Sequence, residues 1–362
     1  MARIVCRPLR FFDRAVGSLP ACVLALALAS AAALVPSRAD AAPKDKGYIL
    51  ATATTGGTFY PVGVAIATVT KTRLAPSTGI SLTAISSAGS AENITLMRKN
   101  EAQFAILQGI SGAWAWRGDG PQGKDGQYRN IRAVTGLWPN VEHFLVVRRL
   151  APTGTMADLK GFAGKRFALG RRNSGAENSG RYILQSIGID PEIMSLAYLG
   201  YGPSADALIN GTLDGANIPA GRPVSAVTRA FAARGGGLAL LAFSDQDLAQ
   251  VNERFDLWRR HVVPAGTYPG QDEPVATIAQ ANVLAVRADV DEETVYQIVK
   301  TLYGNLVLLN AIHPATKDID LQTATDGLPM PLHPGAERFF REAGVALPDP
   351  SAFATSDETG TP

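Results

Sequence analysis

Four short runs place hydroxyls and glycines where a backbone can approach a ligand closely. They are Thr54-Thr55-Gly56-Gly57-Thr58, Ser86-Ser87-Ala88-Gly89-Ser90, Asn173-Ser174-Gly175 and Gly200-Tyr201-Gly202-Pro203-Ser204. Each stands between a short apolar run and a stretch of helical spacing. Such a turn offers unpaired backbone N–H groups and the positive end of a helix dipole. Glycine admits close approach, and the chemistry is capture of a carboxylate or phosphate. Taken singly, each turn reads as ordinary helix capping. Repetition is what points to binding. None of the four matches G-x-x-x-x-G-K-[ST] or a full G-x-G-x-x-G, which disfavours a nucleotide.

Catalytic constellations are missing. There is no G-x-S-x-G, and Ser174, elbow-like at first sight, has no histidine in a triad context. Glu177, in the same turn, reads as dipole-stabilising. The four histidines (His143, His261, His313, His333) form no H-E-x-x-H or other ligand pair, so no metal is expected. His333 reads as a structural loop residue. No cofactor is expected either.

The elements that position these turns repeat. Tyr48 to Ala53 reads as a strand, and a helix with Val62, Ala65, Ile66 and Val69 on one face follows the first turn. A strand over 80–85, the second turn, a helix over about 91–99 and a strand over 104–107 complete the first copy. Strand 166–170, the Ser174 turn, a helix with Tyr182, Ile183 and Ile187, strand 195–199, the Gly200 turn, a helix over 205–210 and strand 215–218 form a second. Alternation of this kind specifies α/β architecture. Two apolar runs, 142–147 and 275–286, are expected to carry the chain between the lobes. A helix over 292–310 should be capped by Asp291. The expected division is residues 42–140 plus 287–345 as lobe 1, 141–286 as lobe 2, and 346–362 as a loose tail.

At the N-terminus, Arg3, Arg7, Arg10 and Arg14 precede an apolar run over 19–35 and then Ala39-Asp40-Ala41. This is the layout of a cleaved export signal, residues 1–41, and it places the mature protein in the periplasm. Cys22 precedes most of the apolar stretch, so it is not an acylation site. Cleavage would remove both cysteines, Cys6 and Cys22, and with them any disulfide. It would also remove five arginines and two aspartates, taking the formal charge from +2 to −1. A nucleic-acid partner, which needs a concentrated basic face, is not indicated.

The segments 55–63 (TGGTFYPVG), 87–93 (SAGSAEN), 264–273 (PAGTYPGQDE) and 331–338 (PLHPGAER) resemble the motifs of TAXI-type solute-binding proteins of TRAP transporters. The resemblance spans about 48–344. It implies a type II periplasmic-binding-protein fold, two α/β lobes joined by a two-strand hinge. It implies a small organic anion, glutamate or a dicarboxylate, as ligand and membrane permease subunits as partners, the receptor itself being a monomer. The expected ligand-binding residues are Thr55, Gly57, Thr58, Phe59, Tyr60, Gly89, Ser90, Gln108, Ser174, Gly175, Ala176, Gly221 and Arg222. The chain departs from the family pattern in three places. Ala176 replaces a hydroxyl residue, no Asp follows Gln108 closely, and Arg222 stands where an uncharged hydroxyl residue is usual. Arg222 reads either as a fixed cation for a carboxylate or as an exposed loop arginine. A ligand sensor for a membrane receptor, or an enzyme on the same fold, are the other functional readings.

Overall fold

The computed structural model of the chain describes residues 44–353. The expected export signal and its cleavage site lie outside the described residues. Among those described, no helix is long and apolar enough to cross a membrane.

The first lobe opens with β1 (Lys46–Ala51), α1 (Phe59–Arg73) and the short α2 (Ala75–Thr78). Next come β2 (Ile80–Ile85), α3 (Ser90–Arg98), β3 (Phe104–Gln108), α4 (Gly109–Arg117) and β4 (Ile131–Val141). The second lobe contains β5 (Phe144–Val147), β6 (Arg166–Ala168), α5 (Gly175–Ser186), β7 (Ser195–Ala197), α6 (Tyr201–Ile209) and β8 (Gly215–Asn217). It continues with α7 (Ser225–Arg234), β9 (Leu238–Leu240), α8 (Asp245–Asn252) and β10 (Arg259–Val263). The chain returns along β11 (Val275–Arg287) and ends in α9 (Glu292–Tyr303), α10 (Leu306–Ile312) and α11 (Pro334–Glu342).

One sheet runs β10-β11-β3-β1-β2, with β4 also paired to β11; the other runs β7-β6-β8-β5-β9. In each lobe the three strands read from the repeat are mutually parallel: β2-β1-β3 and β7-β6-β8. The strand beside each trio is antiparallel and arrives from the other lobe. β11 pairs with β3, and β5 pairs with β8. This is the type II binding-protein topology, built twice with the chain exchanged between halves.

Burial explains the layering. β3 is buried along its whole length, as a central strand covered on both faces must be. One core packs β1–β3 and the far half of β11 against α1, α9 and α11. Two further clusters cover the two faces of the second sheet.

Several boundaries differ from the sequence reading. β11 pairs with β10 at its start and with β3 at its end, all within one sheet. The helix expected over 292–310 stops at Tyr303; Gly304 and Asn305 break it, and Asn305 Nδ2 donates to Thr301 O at 2.8 Å. Asp291 does cap it, accepting from Thr294 N at 2.9 Å. Of the expected loose tail, residues 346–353 are described and are hydrogen-bonded to the body of the chain; the rest lies outside the described residues. Thr325 Oγ1 donates to Ala346 O at 2.7 Å, and Trp116 Nε1 donates to Phe353 O at 3.0 Å.

Candidate functional site

The carboxyl ends of β1, β2 and β3 face those of β6, β7 and β8 across a small interlobe cavity. Sheet edges of this kind are where open α/β folds bind ligands. Every one of the six strand ends contributes. From lobe 1 come the turns at Ala53–Phe59 and Ala88–Ser90, and Gln108. From lobe 2 come Arg171–Ala176, Gly200–Tyr201 and Pro219–Ala220.

The second turn is held rigidly from behind. Ser87 Oγ lies 2.6 Å from Asn93 Oδ1 and 3.0 Å from Thr52 O, with one proton to donate between them, and accepts from Gly89 N (3.0 Å). Asn93, fully buried, donates Nδ2 to Thr52 O (2.7 Å) and Ile106 O (3.0 Å), tying α3 to the ends of β1 and β3. Gly89 sits at φ 125°, a backbone region that L side chains rarely adopt. The turn therefore requires glycine for conformation as well as for access.

Helix ends converge on the cavity. α1, α3 and α6 begin there with no side-chain cap, at Thr58, Gly89 and Gly200. Their first N–H groups lack side-chain acceptors, which is what an anion would supply. α5 is capped conventionally: Ser174 Oγ accepts from Glu177 N at 3.0 Å. Ser90 Oγ accepts from Gln108 N at 3.0 Å. Both serines keep a hydroxyl proton to donate onward. Gln108 is 3 % exposed, and its Oε1 has no hydrogen-bond partner among the described residues. A buried acceptor left open on a cavity wall invites a ligand donor.

The lobes are in contact around this space. Thr58 Oγ1 donates to Gly221 O at 2.9 Å, and Ser225 Oγ to Gly56 O at 3.2 Å. A Cβ built on Gly56 would lie 2.8 Å from Gly202 N, one on Gly57 3.0 Å from the Tyr201 ring, and one on Gly175 2.7 Å from Gln108 Oε1. These glycines are needed for lobe to meet lobe.

Of the expected site residues, Gly57, Thr58, Phe59, Gly89, Ser90, Gln108, Ser174, Gly175 and Ala176 line the cavity together. Thr58 spends its hydroxyl on the opposite lobe. Four do not line it. Thr55 is exposed and Tyr60 half-exposed on the outside of the turn. Gly221 is buried against Trp138 and takes part through its carbonyl alone. Arg222 points away; its Nε donates to His261 Nε2 at 2.8 Å. Sequence reasoning missed Arg171 and Pro219, and it singled out the turn that holds Tyr201 without naming Tyr201 as a ligand-binding residue. The position of Tyr201 just after Gly200 was a usable signal, whereas nothing local distinguished Arg171 from Arg172.

The loop carrying Pro219 to Val224 forms the floor and is anchored on several sides. Tyr201 Oη donates to Pro219 O at 2.7 Å, Ala220 bridges to Val141, and Val224 N donates to Tyr268 Oη at 3.3 Å. Tyr268, from the motif at 264–273, is buried and stacks on Phe231. Its hydroxyl meets His143 Nε2 at 2.8 Å. His143 Nδ1 lies 2.9 Å from Val141 O and 3.0 Å from Ile218 O. Burial pushes this imidazole down to about 4, so it is neutral, with Nδ1–H donating and Nε2 accepting. The motif at 331–338 is structural as well: His333 Nδ1 caps α11 by accepting from Gly335 N at 3.2 Å. Among the described residues no group of three or more His, Cys, Asp or Glu side chains is placed to hold a metal ion.

Fold and cavity define a two-lobed α/β protein with a small cleft at the facing sheet edges. The chain belongs to the NMT1-like family, whose family model matches residues 50–344. Solved structures similar in fold include the alkanesulfonate-binding protein SsuA of Xanthomonas axonopodis pv. citri bound to MOPS. It is 15% identical, with 83% of this chain and 85% of that chain covered at a TM-score of 0.43. PhnD1 of Prochlorococcus marinus, in complex with methylphosphonate, is 13% identical over 83% and 99% at a TM-score of 0.47. A binding-protein component of an ABC phosphonate transporter from Pseudomonas aeruginosa is 11% identical over 75% and 79% at 0.48.

Proposed function

We propose that this chain is the exported solute receptor of a TRAP-type secondary transporter, and that it closes its lobes on a small organic anion of the glutamate or dicarboxylate kind. The observation that carries the reading is the meeting of three helix N-termini without side-chain caps at one interlobe cavity. Backbone N–H groups and helix dipoles stabilise an anion without requiring buried arginines. The open Oε1 of Gln108 adds a place for a donor on the same ligand, such as an amino or hydroxyl group. The motifs at 55–63, 87–93, 264–273 and 331–338 support the TAXI-type assignment, and with it the permease partner.

A thermal-shift screen of amino acids and dicarboxylates tests the first half, because a ligand bound by the folded form alone raises the melting temperature. Anionic compounds should stabilise and their amides should not. A screen in which only neutral or cationic compounds shift the protein defeats the anion reading. Uptake of the labelled ligand in cells carrying the chain and its permease tests the second half. Dependence on an ion gradient is expected; uptake that survives collapse of the gradients but stops on ATP depletion refutes a secondary transporter.

A further inference from the structure

The arginines of the second lobe near the cleft are nearly all occupied. Arg181 pairs with Glu177 and Glu192, Arg229 with Asp206, and Arg222 donates to His261. The guanidinium of Arg172 lies 3.6 Å from the Tyr198 ring centroid. Arg171 differs. It lines the cavity, yet among the described residues its side chain has no hydrogen-bond or ion-pair partner. The nearest acid in sequence, Glu177, is taken: its Oε2 accepts from Asn173 N at 2.8 Å and its Oε1 faces Arg181.

Its placement is specific. A Cβ built on Gly200 would meet Arg171 Cδ at 3.7 Å and Thr54 Cγ2 at 3.5 Å. The arginine stem thus lies over the uncapped N-terminus of α6 and reaches toward the first turn of the opposite lobe. Arg171 also lines an outer interlobe groove, whose other wall is formed by Ala88, Glu92 and Gln122. It stands where that groove enters the cavity. The stem packs at this helix N-terminus while the residue stays exposed, so the guanidinium is within reach of a charged group entering from the groove.

We propose that Arg171 is the charge-selecting residue of the cleft and pairs at its mouth with a negatively charged group of the ligand. This deepens the anion reading and rests on it. The fork geometry of arginine suits a carboxylate, sulfonate or phosphonate end. Arg222 is engaged with His261 and does not line the cavity.

The test uses the full mature protein, succinate and L-glutamate as probes, and titration calorimetry at two salt concentrations. Arg171 is exposed, so Arg171→Ala should keep the ligand-free melting temperature. It should bind the better probe about tenfold to a hundredfold more weakly, as when one member of a charge pair is truncated. Arg171→Lys should recover part of the loss, and the affinity of Arg171→Ala should depend less on salt than the parent's. Parent-like affinity and salt dependence in Arg171→Ala overturn the assignment while leaving the anion reading intact. Failure of the parent to bind any anion overturns both.

Discussion

Glu142 lies at the crossover between β4 and β5, 1 % exposed. Asn217 Nδ2 donates to its Oε2 at 2.9 Å, and Oε1 has no partner among the described residues. Trp258 and Gln280 face it without closing a hydrogen bond of good geometry. Burial dominates these polar neighbours and pushes the carboxyl up from 4.5 to about 7. Between those values the folded chain holds a proton that the unfolded chain has released. The contribution of this group is therefore fully present below about pH 4.5 and is lost as pH rises through about 7. At about 1.4 kcal/mol per unit, the whole swing is of the order of 3 kcal/mol. Glu142→Gln keeps the shape and one acceptor but has no proton to lose. Urea unfolding of parent and variant at intervals from pH 4.5 to 8.5 gives the difference in stability at each pH. The difference should move in favour of the variant by about 3 kcal/mol across the window. His143, held neutral by burial, loses stability in the opposite direction, as pH falls, but both proteins carry it and it cancels. A difference that stays flat across the window would show that Glu142 ionises normally, and the argument from burial would be wrong.

Three further outcomes follow from the contacts. Gly56→Val places a branched side chain where a Cβ alone would be 2.8 Å from Gly202 N; affinity for the anionic ligand should fall about tenfold or more while the ligand-free fold is kept, and unchanged calorimetric affinity would mean that binding does not need the lobes this close. Arg222→Ala should bind like the parent, because its guanidinium is engaged with His261 and lies off the cavity; a loss matching that of Arg171→Ala would contradict the geometry. Tyr268→Phe removes the hydroxyl that meets His143 and Val224 and should cost about 1–3 kcal/mol, read by denaturant unfolding, with a loss near zero refuting the link.

The repeat was legible because its signals are local. The strand over 80–85 and the helix with Val62, Ala65, Ile66 and Val69 inward depend on periodicity within one segment, and both stand as read. Turns that combine glycine with hydroxyls marked the carboxyl edge of each sheet for the same reason. What escaped depends on distant chain. Thr58 looked like a ligand donor, but Gly221, 163 residues on, takes its hydroxyl. Tyr268 sits in a motif that reads as functional, yet the structure buries it as a brace beneath the cavity floor. Arg171 and Arg222 are alike in sequence, each beside a turn; only packing shows which has a partner. The apolar runs at 142–147 and 275–286 marked the crossings, but the antiparallel pairing of β5 with β8 and of β11 with β3 was not legible, since parallel repeats say nothing of how a crossing strand pairs.

That exchange of strands bears on how a cleft of this kind opens. Both connections pass through one short region, where Val141 pairs with Ala279 and β4 with β11. The ladder there is irregular, with register shifts between Ala281 and Val283 and again between Leu284 and Ala285. Asn282, at the first shift, donates Nδ2 to Trp138 O at 3.1 Å, while Gln280 Oε1 accepts from Ile110 N at 2.7 Å. The Asn282 amide thus bonds across the two strands where the ladder is interrupted, and Gln280 ties β11 to α4. A bulged stretch bends at lower cost than an unbroken one, because fewer backbone hydrogen bonds fix its twist. Opening is therefore expected to rotate the lobes about residues 280–284 and their partners 135–140, breaking the Thr58–Gly221 and Ser225–Gly56 bonds while both sheets stay intact. Hydrogen exchange with and without the anionic ligand checks this. Ligand should slow exchange at the cavity turns and in 280–284, and leave β1 and β6 unchanged; equal slowing across both sheets would point to a global stiffening instead of a bend at the crossing.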